Sequence, residues 1–382
     1  MSSTSSAPAA GIDGPSEYLV ALNAAWREHL APRAADAPTF ISLFSGVGGS
    51  SLGYGMAGFR ELLAVEWWAE TAAAFRANFP GISIYCGDIA ALSVGDCLRE
   101  SGIAPGDLDI LDGSPPCQGF STSGKRLLDD PRNRLFMEYI RLLRGLRPRI
   151  FVMENVSGIV KGKMRLIFAD AMRELKASGY LVSARLMNAM WFGVPQHRSR
   201  LIFVGVRDDL GISPSHPRAQ SRPNSVAEAL DLEDAAIERH PEYIDARFVV
   251  GPSSALQAQR RTRIQAGIRR GFGGINNEQY RNEFRGLDMP SPTLEASRPP
   301  IVIGLHAGHV VEAWENRNWK PDEPRNLTND EAKRLQSFPD EFVIPPGGAG
   351  YRMIGNSVPP LFMRAIALHL RREILDRIRE AA

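Results

Sequence analysis

The chain has 382 residues, and its 44% hydrophobic and 23% charged content is ordinary for a globular protein with a large core. Three cysteines supply neither a disulfide framework nor a CxxC zinc pair, so we predict no metal and a reducing, cytoplasmic setting. No apolar run is long enough to span a membrane, and a net charge of +2 does not by itself indicate a nucleic-acid partner.

Residues 1–38 predict a tail followed by one helix. The opening "MSSTSSAPAAGIDGPS" lacks the basic start and apolar block of a secretory signal, and its composition predicts disorder. The segment "SEYLVALNAAWREHLAP" then places four apolar residues on one helical face: Leu19, Leu22, Trp26 and Leu30. We expect this helix to pack on the main domain.

From residue 39 to 207, short apolar runs alternate with amphipathic helical patterns. Strands are predicted at "TFISLF", "ELLAVEWW", "GISIYCGDI", "DLDILDGSPP" and "RIFVMENV". "YLVSARLMNA" and "RLIFVGVR" follow without a helix between them, which predicts an antiparallel pair at one edge of the sheet. The fold class is therefore α/β, with a Rossmann-like, mostly parallel sheet and helices on both faces.

The alternation of strand and helix patterns ends at residue 208. Residues 208–324 are irregular and rich in Gly, Pro, Arg and Asn, which predicts a smaller inserted domain. Helical patterns return in residues 325–382, and we expect them to complete the first domain.

The first strand leads into the glycine-rich turn "LFSGVGGSSLG". Gly46 and Gly48 begin a dinucleotide fingerprint, but Ser51 stands where its third glycine belongs, which disfavours an NAD dehydrogenase. Glu66 closes the second strand 20 residues after Gly46, where an acidic side chain can accept hydrogen bonds from ribose hydroxyls. The turn therefore indicates a nucleotide-like cofactor.

Two further residues follow the ends of predicted strands. Trp67 offers a flat face for an adenine, and Asp88 an acceptor for an adenine amino group. Each has an ordinary alternative, a core position for Trp67 and a helix cap for Asp88. Their common place at the carboxyl ends of strands favours ligand binding.

The stretch "GSPPCQGFS" places one thiol behind two rigid residues. Pro115 and Pro116 stiffen the loop that carries Cys117, and Glu154 ends the next predicted strand. Arg198 and Arg200 of "QHRSR" supply a positive field that favours the reactive thiolate. We therefore predict that Cys117 is a nucleophile, whereas the other two cysteines, Cys86 and Cys97, are expected in the core.

The ordered motifs "LFSGVGG", "VEWW", "GDI", "GSPPCQGFS", "MENV", "GVPQHRSRLIFVGVR", "RNLTNDEAKRLQSFPDEF" and "YRMIGNSVPP" together resemble the DNA (cytosine-5) methyltransferase family of bacterial restriction-modification systems. The resemblance extends from Phe40 nearly to the C-terminus. It implies that Cys117 adds to C6 of a cytosine, that Glu154 contacts N3 and the exocyclic amine, and that Arg200 helps to hold the activated base.

The same resemblance implies S-adenosylmethionine as the cofactor. The family's cofactor positions fall on these residues: Phe44, Gly46, Gly48, Glu66, Trp67, Asp88, Ile89, Pro115, Asn356 and Val358. Ser42 stands where many members have Asp, so we expect altered hydrogen bonding behind the cofactor turn but not a loss of binding.

A cytosine inside a duplex must be flipped out before it can react. The loop after Cys117 is suited to closing over it, and we expect Gln118 and Ser121 to contact DNA. Residues 247–285 hold eight arginines against two glutamates, which suits phosphate and guanine contacts. The arginines expected to bind DNA are Arg261, Arg263, Arg269 and Arg270. The expected partner is double-stranded DNA, and we expect the chain to bind it as a monomer. Any cognate restriction endonuclease is expected to act separately.

Other functions remain open to the sequence. An exocyclic-amine methyltransferase would begin its motif as "SPP" but place an aromatic residue where Cys117 stands. A non-catalytic DNA-binding homologue would not need Cys117, Glu154 and Arg200 together. A relative acting on transfer RNA is disfavoured by the long arginine-rich insert.

Overall fold

The computed structural model describes residues 15–116, 134–160, 165–219, 222–230, 290–291, 293–294, 296, 301–302 and 325–381. Several predicted site residues lie outside these ranges: Cys117, Gln118, Ser121, Arg261, Arg263, Arg269 and Arg270.

Seven strands form one sheet in the order β3-β2-β1-β4-β5-β7-β6. They are β1 (Thr39–Leu43), β2 (Arg60–Glu66), β3 (Ile84–Cys86), β4 (Ile110–Gly113), β5 (Ile150–Val156), β6 (Tyr180–Asn188) and β7 (Ser199–Arg207). β1 to β5 pair in parallel, and β7 runs antiparallel to both β5 and β6. The predicted antiparallel pair at one edge is confirmed.

A short ladder, β8 (Ile301–Val302) with β9 (Arg325–Asn326), stands apart from this sheet. The helices of the described residues are α1 (Glu17–Leu30), α2 (Gly49–Met56), α3 (Ala69–Asn78), α4 (Val94–Ser101), α5 (Arg134–Leu146), α6 (Arg165–Ala177), α7 (Val226–Leu230), α8 (Asn329–Leu335), α9 (Gly347–Asn356), α10 (Pro360–Leu370) and α11 (Asp376–Ala381).

Helices cover both faces of the sheet. Since successive strand residues point to opposite sides, alternate residues of one strand pack into different cores. Ile150 and Val152 of β5 join a core with α1, α2 and α10, whereas Phe151 and Met153 join a second core with α4, α5 and α6. The predicted α/β class with helices on both faces is confirmed. No helix among the described residues combines the length and apolarity that a membrane span requires.

The N-terminal helix α1 is part of the first core. Tyr18, Leu19 and Leu22 are buried, and the Tyr18 hydroxyl donates to the carbonyl of Arg334 in α8 at 2.5 Å. The Ser16 hydroxyl donates to the carbonyl of Glu228 in α7, also at 2.5 Å. α1 therefore joins elements that are far away along the chain.

Two expectations about packing were wrong. Leu30 is the last residue of α1 and is 62% exposed, since the chain leaves the core there. Cys86 is exposed because β3 has only three residues and lies at the open edge of the sheet, whereas Cys97 is buried as expected.

The first residues of the predicted inserted domain pack on the catalytic sheet. Leu210 and Ile212 contact the first core, and Val226, Ala229 and Leu230 of α7 are buried in it. We therefore propose that the inserted domain begins after Leu230 rather than at residue 208.

Candidate active site

The predicted cofactor residues meet at the carboxyl ends of β1, β2 and β4, where the strand order changes direction between β1 and β4. The turn between β1 and α2 has an unusual backbone: φ is 58° at Phe44, 58° at Gly46 and 96° at Gly48. A positive φ at a bulky aromatic residue is strained, and such strain is concentrated at functional sites. A Cβ at Gly48 would lie 2.3 Å from the Phe79 ring, so only glycine fits there.

Glu66 organises this turn from the end of β2. Its Oε2 accepts a hydrogen bond from the Gly46 amide at 2.9 Å, and its Oε1 accepts from the amides of Trp67 and Trp68 at 3.0 and 2.8 Å. Trp67 is 78% exposed, so its indole is an uncovered surface and not a core side chain.

Asp88 at the end of β3 is a helix cap, as its alternative interpretation predicted. Its Oδ1 accepts from the Ala90 amide at 2.9 Å, and its Oδ2 lies 3.9 Å from a guanidinium nitrogen of Arg134. The side chain is more than half exposed, which leaves Oδ2 accessible to a ligand. The next residue, Ile89, is buried beneath it.

The segment after α9 packs directly against the start of α2. A Cβ at Gly49 would lie 2.2 Å from the Val358 carbonyl oxygen, so glycine permits this close approach. Asn356 is exposed at the end of α9, and Val358 is buried. The structure thus brings Val358 to the cofactor turn, although more than 300 residues separate them in the chain.

Glu154 and Arg200 form an ion pair at the carboxyl end of β5, with Oε1 and Nε 2.7 Å apart. Val156 of β5 pairs with Arg200 of β7, so Glu154 and Arg200 are diagonal neighbours on one face of the sheet. Both side chains are largely buried, which strengthens the attraction between their charges. The structure therefore brings these two predicted site residues together, although their ion pair was not predicted.

Asn155 fixes the base of the loop that carries Cys117. Its Nδ2 donates to the Pro115 carbonyl at 3.2 Å, and the residue is buried. This contact ties the end of β5 to the prolines beyond β4. Sequence reasoning did not assign Asn155 a role, although it is the neighbour of Glu154 in the quoted motif.

Arg198 has a different environment from Arg200. It is 2% exposed, and its guanidinium donates to the carbonyls of Leu294, Gly355 and Ser357 at 3.1, 2.9 and 3.0 Å. Burial, aided by the nearby Arg200 charge, lowers the pKa of Arg198 well below its ordinary value. Because Nη1 and Nη2 both donate to backbone carbonyls, we propose a positioning role for Arg198 in place of the predicted catalytic one.

A buried carboxyl behind the cofactor turn was missed. Glu61 of β2 accepts hydrogen bonds from the hydroxyls of Ser42 and Ser51 through the same Oε1. Burial raises the pKa of Glu61 to about 8, against the opposing effect of these two hydrogen bonds. The signal was a set of polar residues, Ser42, Ser51 and Glu61, at positions that the strand and helix patterns direct inward.

Asp112 is a second buried carboxyl, on β4 beside Ser42. The Tyr54 hydroxyl donates to its Oδ1 at 3.3 Å, and Ser50 also contacts it. Burial raises the pKa of Asp112 to about 7, and the negative charge of Glu154 contributes in the same direction. The core beneath the site therefore holds two carboxyl groups that favour their protonated forms.

Comparison with known proteins identifies the family to which the chain belongs. The model for C-5 cytosine-specific DNA methylases matches residues 38–372. The chain is 36% identical over 358 residues to the Type II methyltransferase M.XorII of Xanthomonas oryzae pv. oryzae, covering 86% of this chain and 83% of the relative. It is 33% identical over 340 residues to the Type II methyltransferase M1.HphI of Haemophilus parahaemolyticus, covering 86% and 85%.

Solved structures agree. A DNA modification methyltransferase encoded within a prophage in E. coli matches with a TM-score of 0.63 and 26% identity, over 89% of this chain and 100% of that one. DNMT2 of Spodoptera frugiperda shares the fold, with a TM-score of 0.58 and 20% identity, over 90% of this chain and 100% of that one. The chain therefore belongs to the C-5 cytosine-specific DNA methylase family, and it is a DNA cytosine methyltransferase that uses S-adenosylmethionine.

Proposed function

We propose that the chain methylates C5 of a cytosine flipped out of duplex DNA, through a transient bond between the Cys117 sulfur and C6. The observation that carries this proposal is the Glu154–Arg200 ion pair, 2.7 Å long, beside the proline-anchored start of the Cys117 loop. A buried carboxyl held by a guanidinium is suited to hydrogen bonding with a base in a water-poor pocket.

The cofactor turn fits S-adenosylmethionine. Trp67 would stack on the adenine, Glu66 would accept from the ribose hydroxyls, and Asp88 would accept from the adenine amine. The supporting observations are the uncovered Trp67 indole and the accessible Oδ2 of Asp88. The other residues proposed to surround the cofactor are Phe44, Gly46, Gly48, Ile89, Pro115, Asn356 and Val358. When bound, S-adenosylmethionine supplies an electrophilic methyl group.

The reaction that we propose uses this chain's residues as follows. The Cys117 thiolate forms a bond to C6, while the Glu154 carboxylate accepts a hydrogen bond from the exocyclic amine and Arg200 holds the base. Electron density moves to C5, which would take the methyl group as its bond to the sulfonium sulfur of S-adenosylmethionine breaks and S-adenosylhomocysteine leaves. A base then removes the C5 proton, the C6–sulfur bond breaks, and the thiolate leaves as the ring regains its double bond.

The DNA contacts are proposals on residues outside the described ranges. Gln118 and Ser121 would contact the flipped nucleotide or the strand around it, and arginines of the inserted domain would contact the duplex: Arg261, Arg263, Arg269 and Arg270. The named relatives are Type II methyltransferases. We therefore also propose that the chain acts in the cytoplasm as a monomer and protects DNA from a separate restriction endonuclease.

Bisulfite sequencing tests the reaction directly. A methylation-deficient bacterial host would express the wild-type chain, the Cys117→Ser variant or the Cys86→Ser variant. We expect protected cytosines at one short sequence with the wild-type chain and none above background with Cys117→Ser, because a serine hydroxyl is a far weaker nucleophile than a thiolate.

Cys86→Ser is the matched control, since Cys86 is exposed at the sheet edge. It should protect the same cytosines as the wild-type chain. Full protection by Cys117→Ser would refute the covalent mechanism, and no protection by the wild-type chain would refute the proposed function.

A further inference from the structure

Ser357 lies between Asn356 and Val358, two of the residues proposed to surround the cofactor. We call residues 356–358 the cofactor wall. The carbonyl oxygen of Ser357 accepts a hydrogen bond from Nε2 of Gln336 at 2.6 Å and one from the Arg198 guanidinium at 3.0 Å. Gln336 and Arg198 are both buried, at 0% and 2% exposure. The backbone of this wall is therefore held from behind by two buried polar side chains.

The same side chains extend to the segment through which the chain returns from the inserted region. Leu294 is 1% exposed, its amide donates to Oε1 of Gln196 at 3.1 Å, and its carbonyl accepts from Arg198 at 3.1 Å. Ser291 is fixed in turn, because its amide donates to Pro195 and its carbonyl accepts from His197. Ser291 and Leu294 are thus hydrogen-bonded to the segment just before β7.

Gln196 closes the connection. Its Nε2 donates to Oε1 of Gln336 at 2.6 Å, and its own exposure is 0%. An unbroken chain of hydrogen bonds consequently runs from the Leu294 amide through Gln196 and Gln336 to the Ser357 carbonyl. Arg198 bridges Leu294 and Ser357 in parallel with it. We name Gln196, Gln336 and Arg198 the polar relay.

We propose that the polar relay couples DNA binding by the inserted domain to the position of the cofactor wall, and hence to cofactor affinity, with Gln336 as a positioning residue. The inference rests on the proposed function of the site. A buried amide that loses its partner is costly, so a displacement of Leu294 cannot leave Gln196, Gln336 and Ser357 where they are. Coupling between two binding sites is reciprocal: DNA must strengthen cofactor binding by the same factor as the cofactor strengthens DNA binding.

The test measures binding without turnover. Tryptophan fluorescence would give the dissociation constant of S-adenosylhomocysteine, the demethylated cofactor, with and without genomic DNA fragments from a methylation-deficient host. The ratio of the two constants is the coupling factor. It would be measured for the wild-type chain, Gln196→Met, Gln336→Met and Tyr18→Phe.

We expect a wild-type factor of about five or more, the lower end for coupled sites. In both Gln→Met variants we expect it to fall by about half or more, with Arg198 retaining the remainder. Gln196→Met removes hydrogen bonds of the relay that do not involve Ser357, and Gln336 still donates to the Ser357 carbonyl. The affinity of this variant for S-adenosylhomocysteine without DNA should therefore stay near the wild-type value. Tyr18→Phe removes a buried hydrogen bond to Arg334 of α8, outside the relay, and should keep the wild-type factor.

A wild-type factor of one, or wild-type factors in both Gln→Met variants, would overturn the relay. Wild-type bisulfite protection together with either result would leave the proposed function intact. Absence of protection would refute that function, while the binding ratio would still decide the relay.

Discussion

At the scale of single residues, Glu61 explains how a chain with Ser42 on β1 keeps its cofactor turn in place. Its carboxyl group is shared by Ser42 on β1 and Ser51 on α2, so it joins the two elements on either side of the turn. The register of β1 with β2 shifts between Phe40 and Ile41, immediately beside the Phe40–Glu61 pair. An acid from the neighbouring strand therefore bonds to Ser42.

The Glu61→Gln variant should change how stability depends on pH. Burial raises the pKa of Glu61 to about 8, so the folded chain holds this proton more tightly than the unfolded chain, and the stabilisation is lost as pH rises toward 8. A glutamine stays neutral and keeps the acceptor oxygen. We expect the stability of the variant relative to the wild-type chain to rise by about 2 kcal/mol or more between pH 6 and pH 9, as the wild-type carboxyl loses its proton.

Urea denaturation at the two pH values gives the comparison. Glu100→Gln removes the same charge from an exposed position of α4 and should follow the wild-type curve. If Glu61→Gln and Glu100→Gln lost the same amount of unfolding free energy between the two pH values, the assignment of a protonated Glu61 would be contradicted.

At the scale of elements, the turn between β1 and α2 depends on where a side chain could fit. Gly46 and Gly48 both have positive φ, but only Gly48 faces an obstacle, because a methyl group added there would lie 2.3 Å from the Phe79 ring. A methyl group added at Gly46 would have no atom within 4 Å. Substitution of Gly46 therefore tests backbone strain alone, whereas substitution of Gly48 tests backbone strain together with steric overlap.

Gly48→Ala should destabilise the chain by roughly 2–4 kcal/mol, the sum of left-handed strain and overpacking. Gly46→Ala should cost only about 1 kcal/mol, since it meets strain alone. Thermal or urea unfolding without ligand measures both. An equal cost at the two positions would mean that Phe79 moves aside without penalty.

At the scale of the whole molecule, buried carboxyls and histidines set opposing pH dependences. Burial raises the pKa of Glu61 to about 8 and that of Asp112 to about 7. Burial, with nearby positive charges, lowers the pKa of His29 and of His216 to about 4. The carboxyls lose stability as pH rises, whereas the histidines lose it as pH falls below about 6.5, the ordinary histidine value.

These effects offset one another between pH 5 and 6.5, and only the carboxyl contribution remains above that range. We expect the free energy of unfolding to be nearly constant from pH 5 to 6.5 and to fall by about 2 kcal/mol from pH 6.5 to 8. Chemical denaturation across this range measures it. Stability that is constant or increasing up to pH 8 would contradict the assignment.

The strands, the antiparallel edge and the two helical faces could be predicted because alternating apolar runs carry that information locally. The ion pair between Glu154 and Arg200 was not predicted, although both could be predicted as site residues because they lie at the ends of recognisable strands. Asn155, Glu61 and the positioning role of Arg198 could not, since each depends on a partner that only the folded chain brings near. For Arg198 those partners are Leu294, Gly355 and Ser357, 96 to 159 residues away.

The N-terminal helix α1 has a consequence for synthesis of the chain. Some of its contact partners emerge late: Glu228, Arg334 and Arg364 follow their partners in α1 and its N-cap by 212, 316 and 336 residues. At about 5–20 residues per second, α1 leaves the ribosome roughly 15–60 s before α8. During that time α2 is already available to α1, but the part of α1 that contacts α7 and α8 is uncovered. We therefore expect the nascent chain to bind chaperones until those helices appear.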